Sequence, residues 1–441
     1  MDSRNRTILF FSFVVLFLLA APTLVMYSQG YRVNWPPQSD HKLIVKTGGF
    51  FIKASPKPAN VYINGNLAKK TDFFFGSCLV ENLLPKNYTI SIQKDGYQPW
   101  TKDLAIQEKQ VTEVKRVILF PRTLSLSVLD KNVDSFWPSP DGKEIALLQT
   151  PTSEPGWQLS LYDTGQNLKS QLLDESDLSK TSAPIQSLEW ANDSLSIKLT
   201  VTASKQLEYY SLDVQNPSST PAQTLAPTSN SPAGSLAFAS DGLTSYFIDQ
   251  TGTVFKKDPL QSNPAKLNDV ALPTGKDLTY KLWIDDQFVF ARIGSDLYEL
   301  KPGSTQFEKI FQGLVSDIIS SPDGRKIAYA SNSEIWVTYT KDKTDQPQKN
   351  AGDKDLIARL SKKVTGLAWF NSDYLIFMAG NSIKTAEIDN RDSINIANLT
   401  EISSPLSTNK TKQPSFKWDS ANKNLYIFDG SNLYQSQINT D

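Results

Sequence analysis

Hydrophobic and polar positions divide the chain into three regimes. From Thr7 to Tyr27, 21 residues run without a formal charge, and eleven of the twelve from Ile8 to Leu19 are Leu, Ile, Phe or Val. At ~1.5 Å per residue, a helix of that length covers the hydrocarbon thickness of a bilayer. Its central side chains favour insertion by about 3 to 7 kcal/mol in total. Pro22 comes after most of the apolar run, where a membrane helix tolerates it. Residues 44–120 then alternate apolar with polar positions, as Tyr88, Ile90 and Ile92 do, between turns such as Asn64-Gly65 and Asp95-Gly96. That is strand and turn patterning. Beyond Pro121 short apolar strands and polar turns continue, so the predicted body is all-β.

The flanks of the apolar run bear on its topology. Arg4 and Arg6 precede it, while Tyr27, Tyr31 and Trp35 follow it like an interfacial aromatic belt. The expected arrangement is a cytoplasmic tail over residues 1–6, a transmembrane helix over 7–27 and an extracytoplasmic body. Arg32 weakens the charge asymmetry, but a six-residue tail is easier to retain inside than a hydrophilic body. The rival reading is a cleaved signal peptide, with Ser28 and Gly30 small enough for a peptidase site. Residues 28–43, with Trp35-Pro36-Pro37, carry no period and read as a stiff linker.

The segment FFIKASPKPANVYINGNLAKK contains two β-rich runs around Ser55-Pro56-Lys57-Pro58, and a further strand is expected near residues 111–119. Over residues 44–120 the chain resembles the PEGA domain, on Pro56-Lys57-Pro58-Ala59, on Leu84-Pro85-Lys86-Asn87-Tyr88 and on Gly96-Tyr97-Gln98-Pro99-Trp100. Pro58 and Asn87 stand where that family usually has Gly. The resemblance implies a small β-sandwich of the kind found in envelope proteins, and implies little about activity. Phe73-Phe74-Phe75 interrupts this unit, and three successive strand residues cannot all face one core. Packing within the unit or against the larger one is the favoured expectation; a patch touching lipid or a partner is the alternative.

A motif recurs seven times in residues 121–441, each time an apolar strand, a polar turn and a second apolar strand. Its anchors are Trp137, Trp190, Phe238, Trp283, Ile319, Trp369 and Trp418, a mean spacing of about 47 residues, as in propeller blades. Third strands follow, as in WQLSLYD and EIWVTYT, and weaker fourth strands at 170–173 and 307–311. The last repeat stops after its third strand, while an unassigned strand at 122–129 precedes the first. We therefore expect a seven-bladed β-propeller in which 122–129 pairs beside 432–438. The Ser-Pro-Asp-Gly turns at 139–142 and 321–324 resemble those of TolB-like propeller repeats. Two insertions, 215–234 and 340–355, leave the repeat and are expected to be mobile surface loops.

Composition narrows the chemistry. Lys and Arg total 45 against 46 acids, without a long basic block, so no nucleic-acid partner is expected. A single cysteine, Cys78, excludes an intrachain disulfide or thiolate metal cluster, and a single histidine, His41, near the apolar run, excludes His-dependent catalysis in the body. No cofactor, metal ligand or catalytic residue is assigned. Asp141 and Asp323 of the Ser-Pro-Asp-Gly turns supply one carboxylate each, too few for a calcium site. The expected function is a non-enzymatic, membrane-anchored binding or scaffold protein of the bacterial envelope, held by the bilayer and offering its propeller to a protein or polysaccharide. The alternative is a glycosidase or lyase using paired carboxylates, with Asp285, Asp286 and Asp317 as candidates.

Overall fold

A computed structural model of the chain describes residues 3–33, 43–151, 156–178, 183–216, 221–224, 232–261, 263–402 and 412–440. The expectations resting on Trp35, His41 and much of the 215–234 insertion lie outside these residues. Helix α1 runs over Ser3–Ser28. Within it Thr7–Ser28 is long and apolar enough to cross a membrane. Its apolar side chains are uncovered, Phe10 at 63% and Leu19 at 68% exposure. The following segment is not a structureless linker throughout: β1 (Tyr31–Val33) pairs antiparallel with β2 (Ile44–Lys46). The Thr47 amide closes this ribbon on the Gly30 carbonyl at 2.8 Å.

The next strands are β3 (Gly48–Ser55), β4 (Asn60–Ile63), β5 (Asn66–Lys70), β6 (Ser77–Leu83), β7 (Asn87–Gln93), β8 (Trp100–Ala105) and β9 (Val111–Ile118). They form two sheets, ordered β6-β3-β9 and β5-β4-β7-β8, with β3 and β9 parallel. Period-two alternation puts Phe50, Ile52, Val61, Ile90, Ile92, Trp100 and Leu104 into one core between the sheets. This is the expected β-sandwich.

Seven four-stranded antiparallel sheets follow, resembling propeller blades. The first six occupy residues 135–174, 185–224, 237–266, 280–312, 319–359 and 364–401. The seventh takes three strands from residues 415–437 and its fourth from β10 (Ser127–Asp130). The expected pairing is present, with Ser127 opposite Gln435 and Val128 opposite Tyr434. It begins later than expected because Arg122 is still tied to the sandwich, its amide on the Gly96 carbonyl and its Nε on that of Tyr97. Apolar clusters join sheets one and two, three and four, four and five, five and six, six and seven, and seven and one.

Three of the repeat anchors share a task. The indole N–H of Trp190 donates to the Trp137 carbonyl at 2.9 Å, that of Trp369 to Ile319 at 3.0 Å, and that of Trp418 to Phe370 at 2.9 Å. Each bond joins the first strand of one sheet to the first strand of the sheet before it. A buried indole needs an acceptor, and a strand-edge carbonyl needs a donor. Phe238 and Ile319 stand at the same place in the repeat with no side-chain N–H to give.

Candidate functional site

The carboxylates singled out for sugar chemistry are each committed to neighbours. Asp285 is buried and accepts hydroxyl hydrogen bonds from Ser320 at 2.8 Å and Thr340 at 2.7 Å. Asp286 lies in the following turn with φ 55° and faces Lys341 at 3.6 Å. Asp317 pairs with Lys281 and, at 3.7 Å, with Arg292. Lys281 and Asp285 sit near opposite ends of one strand, four positions or about 13 Å apart along it. In the Ser-Pro-Asp-Gly turns, Ser139 and Ser321 donate to Asp141 (2.8 Å) and Asp323 (2.5 Å), and Lys326 pairs with Asp323 at 2.7 Å. These acids shape turns. Among the described residues no group of three metal-binding side chains occurs.

The most built polar site joins the sandwich to the sixth sheet. Strand β8 alternates buried and exposed positions, with Lys102 in the buried phase between Trp100 and Leu104. Its side chain is wholly inaccessible, and its ammonium reaches the carbonyls of Asp389 (2.6 Å), Arg391 (2.7 Å) and Ser393 (2.7 Å) and the Glu387 carboxylate (2.9 Å). Glu387 also accepts from the Trp100 indole at 2.8 Å and from the Asn395 amide at 2.9 Å. Burial pushes the Glu387 carboxyl upward in pKa, against the pull of the Lys102 charge. A buried charge persists only when paired and hydrogen-bonded, and here one turn of the sixth sheet supplies both conditions.

Edge strand β9 meets the same sheet. Arg116 bridges Asp373 at 2.9 Å and Asp345 at 2.7 Å, and the Ile118 amide donates to the Tyr374 hydroxyl at 3.0 Å. Phe120 packs edge-on against Phe370 and Tyr374, with ring centroids 5.1 and 5.5 Å away. The Glu113 amide donates to Gln346 at 2.9 Å. The 340–355 insertion, expected to be a free excursion, is thus part of the joint: its charges and amides are used by the sandwich. A 40 Å³ cavity remains between Trp100, Arg116, Lys343, Tyr374 and Asp389. Burial and the nearby Arg116 charge push Lys343 down to about 8.

The phenylalanine triplet corrects a second expectation. Phe73, Phe74 and Phe75 are 69%, 76% and 74% exposed, so they do not pack within the sandwich or on the sheets. They occupy the turn from β5 to β6, where strand alternation does not apply. Asp72 fixes that turn, accepting from the amides of Phe75 at 2.6 Å and Ser77 at 2.8 Å and from the Ser77 hydroxyl at 2.8 Å. Those amides hold its carboxyl down at about 2. Gly76 has φ 67°, and a Cβ there would stand 2.6 Å from the Ala54 carbonyl, so the turn needs glycine. Lys57 donates to the Phe74 carbonyl at 3.0 Å. A 390 Å³ groove beside the triplet is lined by Phe74, Phe75, Lys53, Lys57, Lys115 and Arg116, among others.

Comparison with known proteins bears on parts of this picture. Residues 47–118 match the PEGA domain family. No curated protein matched the chain. Among solved structures, the β-propeller domain of Cps50 (Swd1) from Myceliophteria thermophila is similar at 10% identity and a TM-score of 0.40, covering 71% of this chain and 99% of that one. YCF48 from Cyanidioschyzon merolae is similar at 9% identity and 0.38, over 71% and 98%. An oligogalacturonate lyase in complex with manganese is similar at 9% identity and 0.43, over 71% and 93%. The segment from 47 to 118 is a PEGA domain, joined through Lys102 to the sixth of seven blade-like sheets.

Proposed function

We propose that this chain is a non-enzymatic scaffold of the bacterial cell envelope, anchored by α1 with its amino terminus in the cytoplasm. The PEGA domain acts as a rigid adaptor, and the seven sheets form a closed, TolB-like ring that β10 completes. The ring offers a binding surface to an envelope protein or polysaccharide. The observation that carries this reading is the Lys102 joint: a wholly buried ammonium with acceptors on the sixth sheet makes adaptor and ring one body. Committed carboxylates at Asp285 and Asp317 support the non-enzymatic part.

The test uses the full chain with a carboxy-terminal tag in intact bacterial cells. External protease should remove the body only after the outer barriers are opened and without lysing the inner membrane. Crosslinking in the envelope followed by purification should then recover one defined protein or glycan in fixed ratio. A body protected until the inner membrane is lysed would reject the orientation. Envelope glycan that shortens on incubation with the purified chain would replace the scaffold by a glycosidase or lyase.

A further inference from the structure

The sandwich is covered on one side only. Edge strands β8 and β9 are taken up by the sixth sheet through Trp100, Lys102 and Arg116, and by the insertion of the fifth sheet through Glu113. The opposite edges are β5 and β6, and the turn joining them is the phenylalanine triplet, whose flank borders a groove that Asn371 and Asp373 of the sixth sheet also line. The same side receives the membrane helix: Arg32, just past α1, packs over the Tyr27 ring at 3.5 Å and donates to Asn82 on β6 at 2.9 Å. Helix exit and triplet therefore sit at the two ends of β6, about 17 Å apart along the strand.

Between them the surface is apolar and basic. All of β5 is exposed, including Leu67 at 61%. Over residues 53–83 the charges are Lys53, Lys57, Lys69 and Lys70 against Asp72 and Glu81, and Asp72 is spent on its turn. Lys69 caps the Leu79 carbonyl of β6 at 2.7 Å, which blunts this edge against strand addition. Three aromatic rings on a braced turn, ringed by lysines, suit the boundary where acyl chains meet anionic headgroups.

We infer that the β5–β6 edge lies flat on the bilayer that holds α1, with Phe73, Phe74 and Phe75 inserted among anionic lipids as a second membrane contact. This rests on the proposed anchor. Two contacts at opposite ends of β6 set that strand along the membrane plane. Lipid covers the rings, which a soluble surface would otherwise leave in water.

The experiment uses the full chain with Cys78→Ser, reconstituted in vesicles of equal parts phosphatidylglycerol and phosphatidylcholine carrying doxyl-labelled acyl chains. A polarity-sensitive fluorophore is placed by Phe74→Cys, by Leu16→Cys in α1, or by Leu260→Cys on the third sheet. The labels at 74 and 16 should shift to the blue and be quenched by the doxyl lipid, and the label at 260 should not. Each lysine changed to Gln among positions 53, 57, 69 and 70 should lower the inserted-to-free ratio at 74 about fivefold. A quenched label at 16 beside a wet, unquenched one at 74 overturns the inference and leaves the anchor standing. An unquenched label at 16 overturns both. A label at 74 that is dry yet unquenched means that protein covers the rings, and also rejects lipid.

Discussion

The third and sixth sheets come from the same repeat and differ in what surrounds them. In the sixth, all six residues of Tyr374–Ala379 are buried, because the PEGA domain covers one flank and neighbouring sheets the rest. In the third, the first strand, Ala237–Asp241, has no buried residue, and the outer strand is only Ala265–Lys266. Leu243 and Leu260 there stand 86% and 98% exposed. The anchor tryptophan bonds of sheets six and seven have no counterpart at Phe238. One sequence pattern thus specifies a blade, and its neighbours decide how much stability that blade contributes.

The largest expected effect falls on the covered side. Lys102→Ala leaves Glu387 and three carbonyls without their cation, and should lower the unfolding free energy by about 3 to 5 kcal/mol in a denaturant titration. Lys257→Ala, on an exposed position of the third sheet, should change it by less than about 0.5 kcal/mol. Equal effects would erase the contrast. Next, Ile376→Ala should cost about 2 to 5 kcal/mol, whereas Leu243→Ala should stay within about 0.5 kcal/mol; the same titration checks both.

Trp418→Phe removes the donor to the Phe370 carbonyl while keeping an aromatic ring. It should cost about 1 kcal/mol, read most sharply as faster amide exchange where sheets six and seven meet. The smallest effect concerns the phenylalanine turn. The Asp72 carboxyl is held at about 2, below its unfolded value near 3.9. Its contribution is therefore complete above about pH 4 and is lost as pH falls through about 2. Protection of the Phe75 and Ser77 amides should follow that curve, and Asp72→Ala should abolish it at neutral pH.

The architecture was legible because its signals are local. Strand alternation, turn residues and a 47-residue recurrence lie in contiguous stretches, and the unmatched strand before the first repeat pointed to its partner by counting. The joint was not legible. Lys102 is held chiefly by backbone carbonyls 287 to 291 positions away, and carbonyls carry no residue identity to read. The one available clue was a lysine in the buried phase between Trp100 and Leu104. The phenylalanine triplet departs from its expected packing because it occupies a turn, where strand alternation places no side chain. The 340–355 insertion reads as a free loop because polar side chains such as Asp345, which meets Arg116, and Gln346, which meets the Glu113 amide, resemble those of a solvated one.

Pairing between β10 and Leu433–Gln437 also sets an order of events during synthesis. Ser127 and Gln435 lie 308 positions apart, so β10 leaves the ribosome with its edge unpaired and must wait for nearly the whole remaining chain. The PEGA domain is complete long before then and can fold on its own schedule. A truncation before Leu433 would strand two open edges at once, and the newborn chain would then be prone to pair with another copy instead of with itself.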